Sequence, residues 1–204
     1  SFYKNNIVHL FILYSLICES LRFIKKAPKE EIIKLIEMIY PIFAKDFHLK
    51  NEIIDKGSIS NAIKVLQSKE ILVEDKAGNI MPPAENSLFF HNYIALSNLC
   101  EPSLKRFYIV MSTIWKSESI LKDDLNIKCK KLAEDLEKIE GWPYPEFSDK
   151  AKFDNFVYMM KQTKFFREDS EGKLSASKIT KKAKNLYEQF FDKNFLELIE
   201  RQSN

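Results

Sequence analysis

A short stretch of the chain decides the fold: Ile71-Leu72-Val73-Glu74-Asp75-Lys76-Ala77-Gly78-Asn79-Ile80-Met81. Its apolar ends predict two short strands, Ile71–Val73 and Ile80–Met81. The polar residues between them predict a turn, in which Gly78 can adopt the positive φ that a tight turn favours. The stretch is therefore expected to form a β-hairpin.

The same pattern recurs 94 residues further along the chain. Phe165–Arg167 and Leu174 predict a second pair of strands, and Asp169–Lys173 predicts a turn with Gly172 in the place of Gly78. Seven identities fall within a 27-residue window, where chance gives roughly two. They are Glu52/Glu146, Asp55/Asp149, Lys56/Lys150, Asn61/Asn155, Glu74/Glu168, Asp75/Asp169 and Gly78/Gly172. We interpret the pattern as an internal duplication.

Two helices are predicted before each hairpin, because apolar residues recur at three- and four-residue spacing. The second helix of each pair is Ser58–Lys69 in one copy and Asp149–Thr163 in the other. Helix, helix and hairpin in this order are typical of a winged-helix-like unit. The predicted fold class is mainly α, a helical region with two repeated winged-helix-like units that each end in a short β-hairpin. The first helix of each pair is predicted from Ile32, Leu35, Ile36 and Ile39, and from Leu125, Leu132 and Leu136.

The two repeats predict two domains. We expect the first in residues 1–100 and the second, with a C-terminal helix, in residues 101–204. The long segment Glu85–Lys116 joins them. Pro143 and Pro145 favour extended geometry in the residues before them, so Gly141–Pro145 is predicted as a non-helical link. The other predicted helices are Ser87–Ser97, Ser103–Trp115 and Ser177–Arg201.

Composition is typical of a soluble helical body. The 204 residues are 45% hydrophobic and 30% charged, which is enough for one large domain or two small ones. A net charge of +3 is too small to require a nucleic-acid partner, although it tolerates an anionic surface. Cys18, Cys100 and Cys129 are widely separated, so we expect reduced, mostly buried thiols in a cytosolic compartment.

The most apolar segment is Leu10–Cys18, within a predicted helix Ile7–Leu21. From Ile7 the apolar run lasts about a dozen residues before Glu19, whereas a membrane span needs about 20. A buried central helix is therefore expected, with no transmembrane helix in this chain. An interfacial role shared with another domain stays open.

Polar groups collect just before that segment, at Lys4, Asn5, Asn6 and His9. One interpretation is structural: Asn5 or Asn6 caps the first helix and His9 is hydrogen-bonded inside the fold. The other is that these four residues face a polar ligand. Because the chain begins at Ser1 in what reads as the middle of a protein, we expect a fragment of a longer chain.

Four motifs carry a resemblance to one family. Tyr3-Lys4-Asn5-Asn6-Ile7-Val8-His9 resembles the Tyr-Arg-Asn-Asn-x-x-x-His run of the bacterial membrane-bound glycerol-3-phosphate acyltransferases (the PlsB type), downstream of their catalytic domain. Two positions depart from the family pattern, Lys4 in place of Arg and Ser148 in place of Phe; lysine keeps the charge but not the bidentate fork of arginine. The other motifs follow in the family's order through about Gly172: Ile39-Tyr40-Pro41, Arg106-Phe107-Tyr108-Ile109 and Pro145-Glu146-Phe147-Ser148-Asp149-Lys150.

The catalytic motif of that family is not in this chain. The resemblance implies a His-x4-Asp pair, in which the histidine is the general base toward the glycerol hydroxyl. Five residues after the three histidines stand Tyr14, Ile53 and Leu96, none of them acidic. No catalytic residue, cofactor or metal ligand is therefore expected here, and the substrate or domain-interface candidates are Lys4, Asn5, Asn6, His9 and Arg106.

The resemblance implies a function for the parent protein. It would transfer an acyl group from acyl-CoA or acyl carrier protein to glycerol 3-phosphate, giving lysophosphatidate for phospholipid biosynthesis. The fragment would be a non-catalytic C-terminal region, peripheral at the cytoplasmic face of the bacterial inner membrane. Its expected partners are the missing N-terminal acyltransferase domain and an anionic membrane surface, which the basic run Lys178–Lys184 would attract.

The alternative function is a tandem winged-helix module that binds protein or nucleic acid. A DNA-reading helix should carry an Arg- and Lys-rich face. The lysines of the two second helices are instead diluted by Glu52, Asp55, Asp149 and Asp154. We therefore do not expect a nucleic-acid partner.

Overall fold

In the computed structural model, the described residues are 2–47, 49, 52–141, 147–178, 180, 188 and 191–202, without the side chains of 2–10 and 23. They are mainly helical, with two small three-stranded antiparallel sheets. The helices are α1 Phe2–Ile24, α2 Lys29–Asp46, α3 Lys56–Ser68, α4 Phe90–Asn98, α5 Glu101–Lys116, α6 Lys122–Glu140, α7 Lys150–Gln162 and α8 Lys193–Gln202. The strands are β1 Ala27–Pro28, β2 Val73–Glu74, β3 Asn79–Met81, β4 Ile120–Leu121, β5 Phe166–Glu168 and β6 Lys173–Ala176.

The chain divides into two compact units, Ser1–Glu101 and Pro102–Asn204. In the first unit the sheet order is β1-β3-β2, with Ala27 opposite Ile80 and Val73 opposite Met81. Helix α1 packs on α2, α3 and α4. Its apolar segment is buried from Ile12 to Cys18 except for the half-buried Tyr14, whereas Phe11 is 49% exposed. The fully buried side chains of this core include Leu13, Leu16, Ile17, Tyr40, Phe43 and Tyr93. Helix α1 is the centre of the first core because three helices pack against it. Each large apolar side chain buried there stabilises the fold by about 1.5–3 kcal/mol.

The second unit has the sheet order β4-β6-β5, with Ile120 opposite Leu174 and Arg167 opposite Ser175. Helix α6 packs on α7 and α8. Four fully buried phenylalanines fill this core: Phe107, Phe147, Phe153 and Phe156.

Helices α3 and α7 each begin with an aspartate as the N-cap residue. Asp55 is the N-cap of α3 and accepts from the backbone N–H of Ser58 at 2.9 Å. Asp149 is the N-cap of α7 and accepts from the backbone N–H of Ala151 at 2.9 Å. A side-chain acceptor here satisfies one of the N–H groups that the first helical turn leaves without a partner. The two predicted helices are thus confirmed, with boundaries that differ by one or two residues.

The structure adds two strands to the prediction and corrects one helix. The strands β1 and β4 were not predicted, although each adds a third strand to a hairpin. The single helix predicted over Ser177–Arg201 is wrong, because residues 191 and 192 are not helical and α8 begins only at Lys193. Asp192 accepts from the backbone N–H of Phe195 at 2.8 Å and so starts a new helix. Of the predicted link Gly141–Pro145, only Gly141 is described; it ends α6 with a φ of 63°.

Candidate functional site

The first four candidate residues lie near the start of α1. Lys4, Asn5, Asn6 and His9 are all within its backbone bounds, Phe2–Ile24, while their side chains lie outside the described residues. The interpretation of Asn5 or Asn6 as a helix cap is wrong, because an N-cap residue precedes the first helical turn. Whether the four side chains face a substrate or a domain stays a prediction.

Arg106 is the fifth candidate, and it lies inside the second unit, whereas the other four belong to the first. Its side chain is buried on α5 and donates from Nη2 to Ser103 Oγ at 3.1 Å. The guanidinium carbon lies 5.9 Å from the ring centroid of Phe147, within the range of a cation–π interaction. These contacts give Arg106 a packing role within its own unit.

A charged cluster that the sequence did not indicate lies at the end of α1. Arg22 Nη1 is 3.5 Å from Glu19 Oε2 and 3.2 Å from Glu101 Oε2, and it donates to Asn98 Oδ1 at 3.1 Å. Burial lowers the pKa of Arg22, but the two carboxylates outweigh that effect and the net pKa is raised. Arg22 therefore stays charged and connects α1 to the end of α4 and to Glu101, the last residue of the first unit.

Hydrogen bonds between α1 and the region of α4 hold this end of the first unit together. Ser15 Oγ accepts from the backbone N–H of Cys100 at 3.0 Å, and the Tyr93 hydroxyl donates to the carbonyl of Cys18 at 3.0 Å. Burial and the nearby Cys18 raise the pKa of Tyr93. Tyr93 thus remains a neutral donor, and its ring can serve as an apolar wall.

A cavity of about 650 Å³ lies beside Arg22. It is formed by the last turn of α1, the hairpin of β2 and β3, the loop Pro82–Glu85 and the start of α4. Its apolar lining includes side chains that are only half-buried, and so offer surface to a ligand: Val73, Met81, Pro82, Phe90 and Ile94. A pocket of this size and character is typical of small-molecule sites.

The thiols of the three cysteines lie in the interior. Each is buried and free of a disulfide, as predicted, and burial raises the pKa of Cys100 and Cys129 to about 12. A thiol with so high a pKa stays protonated and weakly nucleophilic. Among the described residues, no group of three or more His, Cys, Asp or Glu side chains could hold a metal ion.

The described helices also bear on the membrane question. None of them combines the length and the apolar character that crossing a bilayer requires.

Sequence reasoning missed the residues of the cavity because they come from separate parts of the chain. Arg22, Val73 and Ile94 meet only through the packing of α1, the hairpin and α4. The signal that could have pointed to it is the hairpin pair itself, since Val73 and Met81 are apolar where the second copy has Arg167 and Ser175.

Comparison with known proteins assigns a family. The profile described as "Glycerol-3-phosphate acyltransferase C-terminal region" matches residues 1–169. The chain is similar to the glycerol-3-phosphate acyltransferases of Alteromonas mediterranea (27% identical; 87% of this chain and 22% of the relative), Pseudoalteromonas atlantica (24%; 87% and 22%) and Pseudomonas fluorescens strain Pf0-1 (25%; 86% and 21%). It thus spans about a fifth of the length of these relatives. No solved structure matches it.

Proposed function

Since the chain belongs to the glycerol-3-phosphate acyltransferase C-terminal region family, we propose that it is the non-catalytic C-terminal region of such an enzyme. The parent would transfer an acyl group from acyl-CoA or acyl carrier protein to the 1-hydroxyl of glycerol 3-phosphate, giving lysophosphatidate. The observation that carries the proposal is the family match over residues 1–169, because it includes all four motifs from Tyr3 to Lys150.

The structural roles of five acidic residues support a non-catalytic role for this region. Asp55 and Asp149 cap helices, and Asp75 and Asp169 close turns. Glu19 is engaged with Arg22. Each of these acidic groups already has a structural function, and none stands five residues after a histidine.

We further propose that each unit is winged-helix-like. The chain order α1-β1-α2-α3-β2-β3 recurs as α5-β4-α6-α7-β5-β6, and the sheet orders β1-β3-β2 and β4-β6-β5 correspond. A strand before the helix pair that joins the hairpin as its third strand is typical of that fold. We propose that residues 1–100 and 101–204 each form one domain of this kind.

Protein packing suits these units better than nucleic-acid binding does. The second helices, α3 and α7, contain five lysines between them and no arginine. Lys161 on α7 forms an ion pair with Glu168, and Asp154 lies 4.0 Å from Lys122. Because a DNA-reading helix relies on arginine and unpaired cations, we propose that the units support the N-terminal acyltransferase domain.

The membrane contact would be peripheral, at the cytoplasmic face of the inner membrane. It would rely on the four lysines of the basic run Lys178–Lys184. About 1 kcal/mol per basic residue near an acidic lipid surface assists binding but does not anchor a protein by itself. The catalytic domain would therefore share the contact.

The test of the proposed function is the acceptor preference of the full-length parent. Purified parent is supplied with palmitoyl-CoA and either glycerol 3-phosphate or dihydroxyacetone phosphate, and the lipid product is measured. We expect lysophosphatidate from glycerol 3-phosphate. A parent that acylates neither acceptor would overturn the proposal and favour the tandem winged-helix binding module.

A further inference from the structure

The two hairpins carry different side chains at the cross-strand pair that lines the cavity of the first unit. Val73 and Met81 face each other across β2 and β3, and both line the cavity. The corresponding cross-strand pair in the second unit is Arg167 and Ser175. Two hairpins that otherwise share their turn geometry therefore differ in whether this pair is apolar.

The polar groups at the cavity wall are already engaged. The Tyr93 hydroxyl donates to the carbonyl of Cys18, and Arg22 is held by Glu19, Asn98 and Glu101. A polar ligand that displaced these bonds would have to replace each of them, since unsatisfied buried polar groups are costly. The available surface is apolar, so the ligand that fits gains its affinity from methylene groups removed from water.

The rim carries two exposed side chains of opposite charge, Lys25 and Glu85. Because these two charges offset one another, the rim does not favour a ligand whose buried part carries a net charge. It does leave room for a polar head group to remain in water while an apolar chain is buried.

We propose that this cavity binds the hydrocarbon chain of a long-chain acyl group. The proposal rests on the proposed function in one respect, because an acyltransferase handles such chains. The bound chain would lie against Val73, Met81, Phe90 and Ile94, with its polar end toward Lys25 and Glu85. The first unit would then hold an acyl chain outside the catalytic domain, as a donor, a product or a membrane lipid.

The test is photo-labelling of the full-length parent. A palmitic acid analogue that carries a diazirine is bound and irradiated, and the labelled peptides are identified by mass spectrometry. We expect label on the peptides that contain Val73, Met81 and Ile94. Label confined to peptides outside residues 71–98 would overturn the proposal.

A matched pair of variants separates the cavity from general apolar binding. The double variant Val73→Arg, Met81→Ser gives the first hairpin the pair that the second hairpin already carries, and should lower labelling of residues 71–98 about tenfold, as expected for a site that loses its apolar wall. The reciprocal variant Arg167→Val, Ser175→Met should leave it unchanged. Unaltered labelling in the first variant would contradict the proposal. Should that variant fail to fold, Ile94→Trp takes its place, because the larger side chain fills the cavity and should lower labelling in the same way.

The source of the chain is found by repeating the labelling with diazirine-bearing lysophosphatidate and with the corresponding coenzyme A thioester. Stronger labelling by one of them names that lipid as the occupant; equal labelling by all three means that the chain alone is recognised. The labelling does not depend on turnover. Failure of acyl transfer with labelling intact would therefore refute the parent's activity and leave the acyl-chain site standing.

Discussion

Asp75 and Asp169, which are 94 residues apart, close their hairpins with the same hydrogen bonds. Asp75 Oδ1 accepts from the backbone N–H groups of Ala77 and Asn79 at 2.9 and 3.0 Å. Asp169 Oδ1 accepts from those of Glu171 and Lys173, both at 2.9 Å. In both hairpins, therefore, the repeated aspartate stabilises the turn by accepting two backbone hydrogen bonds.

This turn predicts a pH dependence of stability. Hydrogen bonds from the Asn79 side chain and backbone hold the pKa of Asp75 at about 2, below its unfolded value near 3.9. A depressed pKa stabilises the fold above the unfolded pKa, and that contribution is lost as the pH falls from about 4 toward 2. We expect the variant Asp75→Asn to lose less stability than the wild type between pH 5 and pH 2, values chosen to bracket that window. The measurement is the urea midpoint at both pH values; equal losses in the two proteins would exclude the effect.

Gly172 should resist substitution by residues that carry a Cβ. Its φ is 77°, and a Cβ built there meets nothing within 4 Å. The cost of Gly172→Ala is therefore conformational alone, about 1–2 kcal/mol. Chemical denaturation measures it. Gly172→Asn is the control, because asparagine enters the left-handed region more readily; an equal or larger loss for asparagine would contradict this explanation.

Arg22 should be more important to stability than an exposed ion pair. The Glu19 side chain is only 3% exposed, whereas that of Arg22 is 30% exposed. The variant Arg22→Met would remove the cation beside a buried carboxylate and cost about 2 kcal/mol, less than a fully buried pair because solvent screens Arg22. Chemical denaturation of the variant and the wild type measures the difference.

The control for Arg22 is the double variant Glu19→Gln, Arg22→Met. It removes the buried negative charge together with its partner, so it should recover part of the lost free energy of unfolding. A double variant less stable than Arg22→Met would show that the charge pair is not the cause.

His9 tests whether the start of α1 serves the catalytic domain. If it faces that domain, His9→Ala in the full-length enzyme should lower kcat/KM roughly tenfold while the melting temperature changes little. His91→Ala is the matched control, because His91 is exposed on α4. Equal activity of the His9 variant at equal stability would remove His9 from the functional residues.

Local signals made much of the fold predictable. The turn at Asp75–Asn79, the helices that begin near Asp55 and Asp149 and the helix around the apolar segment Leu10–Cys18 each depend on residues close in sequence, and all were expected. The strands β1 and β4 were missed, because two-residue strands have no periodicity and exist only through pairing with Ile80 and Leu174.

The site was less predictable than the fold. Arg22 has its partners at Glu19, Asn98 and Glu101, and the last two are distant in sequence. The apolar wall of the cavity comes from a hairpin and a helix whose packing no local pattern specifies.

The break before α8 could have been found, since aspartate is a favoured N-cap residue and Asp192 directly precedes Lys193.

Acyl transfer by the 204-residue chain alone is the measurement that most directly tests its non-catalytic role. Purified chain and full-length parent are incubated with radiolabelled glycerol 3-phosphate and palmitoyl-CoA, and labelled lipid is counted. A non-catalytic C-terminal region predicts product from the parent and none from the chain above a heat-inactivated sample. Product from the chain alone would show that this region is catalytic and make His9 the first residue to replace.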